Sequence, residues 1–424
     1  MGLPRPLRAC AFGRFVKHFP MQSVVVAKPY TFFPPHRGSL WPALLRPLQS
    51  RLLRSHGVVA VERRGVERLA ASVAAGHGIM LTPNHCRPCD PFVLASLGYN
   101  VGRPVHIMAS AHLFMQSRVQ RFLLRRAGAF SIYREGMDRE ALKCAIDIVA
   151  GARRPLVLFP EGVISRHNDR LNPLMEGTAM IARSAAKQRA AAKTPGKVVV
   201  HPVAIRYCFE GNLETTIEPM LELIERRLTW QTQRNLPLVD RIVKIGGALL
   251  ASKEIEFLGA PQSGDLSTRI QRLIDHLLVP IEMVWLKGRR ETGVVGRVKA
   301  LRTALLPDLV AGSLSIAERE QRWELLAKLY LAQQLAFYPA GYFRPTPTPE
   351  RLLETVERFE EDMTDRVRTV SPIRAVVDVG EAIEASTERT RGGEGDPLMN
   401  GIQESLEAML ASSLAARHPG AILQ

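Results

Sequence analysis

Apolar residues fall into two regimes along the chain. Up to Tyr207 they come as short runs separated by stretches of helical period. The runs 78–82, 105–108, 129–133, 155–159 and 197–207 read as strands, and 91–97, 114–126, 139–151 and 178–192 as the helices between them. Alternation at this spacing predicts an α/β layered domain. Beyond Tyr207, apolar positions recur at helical spacing over 213–228, 239–251, 266–285, 316–338 and 349–367, the last with Thr348 as cap and Pro349 at its first position. Two strand-like pieces, 255–259 and 375–381, interrupt these helices, and a polar Gly-rich loop at 389–395 precedes a last helix at 396–414. No internal repeat suggests a solenoid.

Residues 1–40 are rich in Pro and Arg and read as a basic leader lying on the surface, because Pro29-Tyr30-Thr31-Phe32-Phe33-Pro34-Pro35 is incompatible with a long regular element. From 40 to 53, Leu40, Leu44, Leu45, Leu48, Leu52 and Leu53 recur near helical spacing among Trp41, Arg46, Arg51 and Arg54. Two readings fit this pattern. It is either an interfacial helix with leucines in the acyl boundary and arginines toward lipid phosphates, or an amphipathic helix packed on the core.

The chain carries 57 Lys and Arg against 41 Asp and Glu, a formal charge of +16 that implies anionic partners: nucleic acid, anionic lipid head groups or phosphorylated substrates. Apolar residues at 46% rule out wholesale disorder. No stretch reaches the roughly 18 apolar residues of a bilayer span. Arg8 and Arg14 break the apolar run that a secretory signal needs. The expectation is a cytoplasmic protein, soluble or peripherally associated with membrane. Five cysteines, an odd number, fit a reducing compartment.

The candidate chemistry centres on the loop after 78–82, where His85 and Asp90 stand five positions apart. A neutral imidazole can take a proton from a hydroxyl while its other nitrogen donates to a carboxylate, which fixes the tautomer and stabilises the imidazolium. The same residues also suit an Asp-Pro helix cap beside a hydrogen-bonding histidine. Between them lie Cys86 and Cys89, a CxxC that fits a redox disulfide or half a zinc site, although no second ligand pair follows. Downstream, Arg134 ends the run 129–133, Phe159-Pro160-Glu161-Gly162 ends another, and Arg166 follows. Guanidinium groups at strand ends, beside a glycine that lets backbone N–H approach, suit a phosphate monoester. A solvated Arg134 and a simple Pro-Glu-Gly turn are the plainer alternatives.

Asn84-His85 with Asp90, Gly128 through Arg134, Phe159 through Gly162, and Val200-His201-Pro202-Val203 resemble, in order and spacing, the four motifs of the glycerolipid acyltransferases, which include the 1-acylglycerol-3-phosphate acyltransferases. The likeness spans roughly 58–208. It implies a mixed sheet flanked by helices, in which His85 deprotonates the acceptor hydroxyl and Asp90 orients His85. The oxygen would attack the acyl thioester directly. Arg134 would contact the acceptor phosphate, Glu161 and Gly162 would shape the glycerol-phosphate site, and Asn84 counts among the substrate contacts. The partners implied are acyl-CoA or acyl-carrier protein as co-substrate, a lysophospholipid and a membrane surface, with no cofactor, metal or nucleic acid.

Two departures from the family pattern stand out. Val163-Ile164-Ser165-Arg166 follows Gly162 where phosphatidate-forming members usually continue Thr-Arg-Ser, so Arg166 is the candidate replacement for a missing phosphate-binding arginine. Ser-Arg at this place also resembles relatives that acylate glycerol-3-phosphate, which keeps that acceptor as the alternative. The family's closing strand also has two candidates, 377–383 and 255–261. The first makes 211–372 a helical insertion into a catalytic domain of 41–210 completed by 373–416; the second makes it the start of a separate domain. Either way, Arg226, Arg227, Lys287, Arg289, Arg290, Arg297, Lys299 and Arg302 could rest on anionic lipid or form a solvated basic face.

Overall fold

A computed structural model describes residues 29–192, 196–343, 347–364, 368–388 and 395–417. Most of the leader and of the Gly-rich loop lies outside them. Helix α1 (Leu40–Ser55) leads into β1 (Val58–Arg64), α2 (Val66–Ala74), β2 (Gly78–Pro83) and α3 (Asp90–Asn100). Next come β3 (His106–Ser110), α4 (Ala111–Met115), α5 (Arg118–Ala127), β4 (Ala129–Ile132) and α6 (Arg139–Gly151). The first part ends with β5 (Leu156–Val157), α7 (Gly177–Ala190) and β6 (Val198–Phe209). Six helices follow: α8 (Leu213–Arg227), α9 (Leu238–Leu258), α10 (Leu266–Trp285), α11 (Gly293–Ala311), α12 (Ile316–Leu335) and α13 (Pro349–Thr364). The chain then returns to β7 (Ile373–Val379), β8 (Ile383–Glu384) and α14 (Pro397–Arg417).

The strands form one sheet in the order β1-β7-β6-β2-β5-β3-β4, with β8 also paired to β6. Pairing is parallel except where β7 and β8 lie antiparallel to β6, so the sheet is mixed. Every residue of β6 is buried, as expected of a central strand covered on both faces. Successive side chains point to opposite faces. Thus Ile79 and Leu81 join α2, α3, α8 and α13 in one core, while Met80 packs with α6, α7 and α14 in the other. Pro202 interrupts β6 where its neighbour changes from β8 to β7, a place where a missing N–H is tolerated.

Phe209 is the register partner of Ile373, so residues 210–372 leave the sheet and rejoin it at the same point. The strand-like piece 255–259 is instead the last turn of α9, closed by Gly259 in the left-handed conformation. Its β-branched and aromatic residues gave a strand reading, but a helical period running from Ile242 through Leu250 sets the outcome. Helix α11 was not anticipated, since Gly293, Gly296 and Pro307 mask its period. Helices α9 to α12 share a separate apolar core around Leu277, Leu301 and Leu329.

The basic residues of this region divide. Arg226, Arg227, Lys287, Arg289, Arg290 and Lys299 are exposed, but Arg297 and Arg302 are buried. Arg297 meets Glu282 at 2.6 Å and Asp275 at 2.9 Å, and the burial of Arg297 and Arg302 corrects both expectations for them, a lipid-facing and a solvated side chain. Arg241 plays the same part between α8 and α9. It donates through Nε (2.7 Å) and Nη2 (2.8 Å) to Glu225, whose side chain is fully buried.

Arg241→Met strands that carboxylate and lowers unfolding free energy by about 3 kcal/mol or more. Adding Glu225→Met recovers most of the loss, as read by urea denaturation.

Candidate active site

The loop between β2 and α3 is held from four directions. Asn84 is buried, and its amide brackets the backbone of Ile205: Nδ2 donates to the carbonyl at 3.0 Å, and Oδ1 accepts from the N–H at 2.7 Å. Both ends of the amide are thereby occupied. Asn84 locks the loop to β6 and is not presented to a ligand, which departs from its expected place among the substrate contacts.

Asp90 opens α3 and is fully buried. One oxygen, Oδ2, accepts from His85 Nδ1 at 2.7 Å and from the Arg87 N–H at 3.0 Å; the other accepts from the Tyr207 hydroxyl. A carboxylate with three donors stays desolvated at tolerable cost. With Nδ1 donating to Asp90, the lone pair of His85 lies on Nε2, which makes no hydrogen bond among the described residues. The imidazole, about 15% exposed, stacks on Phe159 with ring centroids 3.8 Å apart. It is therefore oriented at one nitrogen, packed on one face and reachable at the other nitrogen.

Glu161 supports the same loop from below. Its Oε1 accepts from the His85 N–H at 2.7 Å, and Oε2 accepts from the Asn172 N–H at 3.1 Å. Burial pushes its carboxyl up to about 8, with the two backbone donors opposing. Ser165 completes the clamp by donating its N–H to the His85 carbonyl at 2.7 Å. Glu161 thus braces the histidine loop.

Gly162 adopts φ +68°, and a Cβ there would lie 2.4 Å from Met175 Sδ, so the position needs glycine. Its carbonyl accepts from Arg134 Nη1, which joins the ends of two strand-to-helix loops. Burial lowers the Arg134 pKa. Arg134 does not stand alone: burial, and after it the Arg134 charge, pushes Arg302 down to about 10, and the solvent-exposed Lys299 feels the same Arg134 charge, with Glu135 opposing at both. Arg302 Nε is buried with no hydrogen-bond partner among the described residues. Arg166 differs, since its guanidinium is paired with Glu361.

Cys86 and Cys89 are free and buried. Burial raises both thiols, Cys89 to about 11, opposite to the depressed thiolate of a redox CxxC. Among the described residues no three His, Cys, Asp or Glu side chains are grouped so as to hold a metal ion. His201, in the fourth motif, is also internal, bonded to Ser72 Oγ and the Gly380 carbonyl at 2.9 Å each.

Sequence reasoning placed Tyr207 in a strand and predicted helix α13, but missed the part each plays at the site. Tyr207 was legible only as a strand residue. Helix α13 sends Glu357 to Arg87 at 2.9 Å, Glu361 to Arg166, and Arg358 Nη2 to the Arg166 carbonyl at 3.0 Å. A helix this charged reads as solvated, and nothing local reveals that its charges brace two loops far away in sequence.

The region containing His85, Asp90, Arg134, Glu161, Gly162 and Arg166 matches a family model, described as Acyltransferase, over residues 59–206. No curated protein matches the chain.

Because the native state holds Glu161 protonated well above its ordinary 4.5, its contribution to stability is full below that pH and is lost as pH rises through about 8. Wild type should therefore lose stability relative to Glu161→Gln between pH 5 and 8, with no further divergence above, as read by urea denaturation across that range.

Proposed function

We propose that this protein, whose residues 59–206 form a domain of the glycerolipid acyltransferase family, moves a fatty acyl group from acyl-CoA or acyl-carrier protein to the hydroxyl of a lysophospholipid. Acyl transfer to a lipid is the general chemistry that such a domain supports. The acceptor we favour is 1-acyl-sn-glycerol-3-phosphate, which gives phosphatidate. Glycerol-3-phosphate is the second choice, on the strength of Ser165-Arg166 after Gly162.

The observation that carries the reading is the His85–Asp90 pair, with Nε2 left free. The acceptor O–H gives its proton to Nε2 as its oxygen bonds to the thioester carbonyl carbon. The imidazolium is stabilised by the Asp90 carboxylate. When the C–S bond breaks, the departing thiolate takes that proton, and His85 returns to its starting tautomer. No acyl-enzyme is formed. Arg134, with Lys299 and Arg302 in its surroundings and Glu135 the one carboxylate named against the three, supports an acceptor bearing a phosphate, because such a cluster keeps a net positive charge that favours a dianion.

Peripheral attachment to membrane has its own support. No helix among the described residues is long and apolar enough to cross a bilayer. Helices α1 and α5 expose Leu40, Leu44, Leu48, Val119 and Phe122, with Trp41 set edge-on to Phe122 and Arg126 over the Trp41 ring. Apolar side chains among arginines suit an anionic lipid surface.

With lysophosphatidate and acyl-CoA, wild type should release CoA thiol, and His85→Ala should reduce the rate by about 10²–10⁴-fold or more. Persistent turnover in that variant removes the assigned base. Vesicles containing anionic lipid should sediment wild type, and Leu44→Glu with Phe122→Glu should weaken that binding by roughly tenfold or more.

A further inference from the structure

Outside the matched span, helices α9, α10, α12 and α13 line a cavity of about 1080 Å³. Its walls are largely apolar, with Leu249, Ile270, Leu331, Leu335 and Phe359 among them. One part is polar. There the Tyr338 hydroxyl donates to Asp362 at 3.0 Å. On another side the lining includes Ser252 and Glu256, both exposed, which gives the space a way out to solvent.

The volume sits at the top of the roughly 300–1,000 Å³ found for small-molecule sites, so a compact metabolite would leave most of the wall uncovered. Water entering past Ser252 and Glu256 would hydrate the apolar lining, whereas a hydrocarbon chain would remove that surface from water. A long flexible chain with a single polar head meets both conditions, its methylenes along the wall and its head toward solvent beside Ser252.

Helix α13 ties this space to the candidate active site. Thr355, Phe359 and Asp362, spaced four and three residues apart, face the cavity. Glu357, Arg358 and Glu361 lie on another side of the same helix and hold Arg87 and Arg166. Tyr342, also in the lining, packs its ring 5.3 Å from that of His167, just beyond the third motif. A ligand against one side of α13 thus touches the element that braces the catalytic loops.

We infer that this cavity is a binding site for a long acyl chain, built by helices that the family model does not cover. The identity of the ligand rests on the proposed acyl-transfer function. Its chain could belong to the acyl donor or to the lysolipid acceptor.

The test is fluorescence titration of the full chain with cis-parinaric acid, an 18-carbon fatty acid, below its micelle concentration. Saturable binding near one probe per chain is expected. Competitors should weaken by about tenfold for every two methylenes removed. Displacement by palmitoyl-CoA assigns the site to the donor chain, and displacement by 1-palmitoyl-lysophosphatidate alone assigns it to the acceptor chain. Ala327→Trp and Leu331→Trp, each projecting an indole into the space, should abolish saturable uptake, with folding checked by circular dichroism. Absence of saturable binding in wild type, competition independent of chain length, or wild-type affinity in both folded variants overturns the inference and leaves the groove to a protein partner. Binding is read without turnover. A chain that takes up the probe here yet transfers no acyl group contradicts the proposed function and leaves this site standing.

Discussion

A buried carboxylate must be surrounded by donors, and Asp90 meets that requirement in a way that organises everything near it. His85, the Arg87 backbone and Tyr207 each donate to it, from the same loop and from the central strand. Removing any one would leave a desolvated oxygen short of a partner, so the loop has little freedom to rearrange. The imidazole is consequently fixed by the folding of the sheet itself. Asn84 and Glu161 strengthen the constraint by attaching the same loop to β6 and to the loop at Asn172.

That arrangement explains why some features were readable from the amino-acid order and others were not. Strand runs such as 197–207 announce themselves, because a strand buried on both faces is apolar at nearly every position. His85, Asp90, Arg134 and Glu161 sit at the ends of such runs, where short loops leave few alternatives for placing a reactive group. Roles that depend on distant partners are hidden. The amide of Asn84 looks like a ligand contact until Ile205 is found to occupy it, and Arg166 looks available until Glu361 is found against it. The piece at 255–259 carries strand-like residues but lies at the end of a longer helical period, and the longer pattern prevails.

The helices between β6 and β7 change how the chain's basicity is understood. A net charge of +16 suggests a surface coated in cations, yet Arg241, Arg297 and Arg351 are buried against carboxylates. The first two pairs specify how helices meet, and the third ties α13 to the loop at Asp169. Other cations gather beside Arg134, where Glu135 opposes Lys299 and Arg302, and along α1 and α5. The general charge of the chain therefore resolves into two local fields, one suited to a phosphate and one to a lipid surface.

If Asp90 acts through His85 on the transition state of acyl transfer, steady-state kinetics of Asp90→Asn with lysophosphatidate and acyl-CoA will reveal it. The expected result is a kcat lower by about two orders of magnitude or more with KM for the acceptor little changed, because a misplaced tautomer weakens proton transfer and not binding. A loss confined to KM, or a kcat equal to wild type in the folded variant, would contradict it.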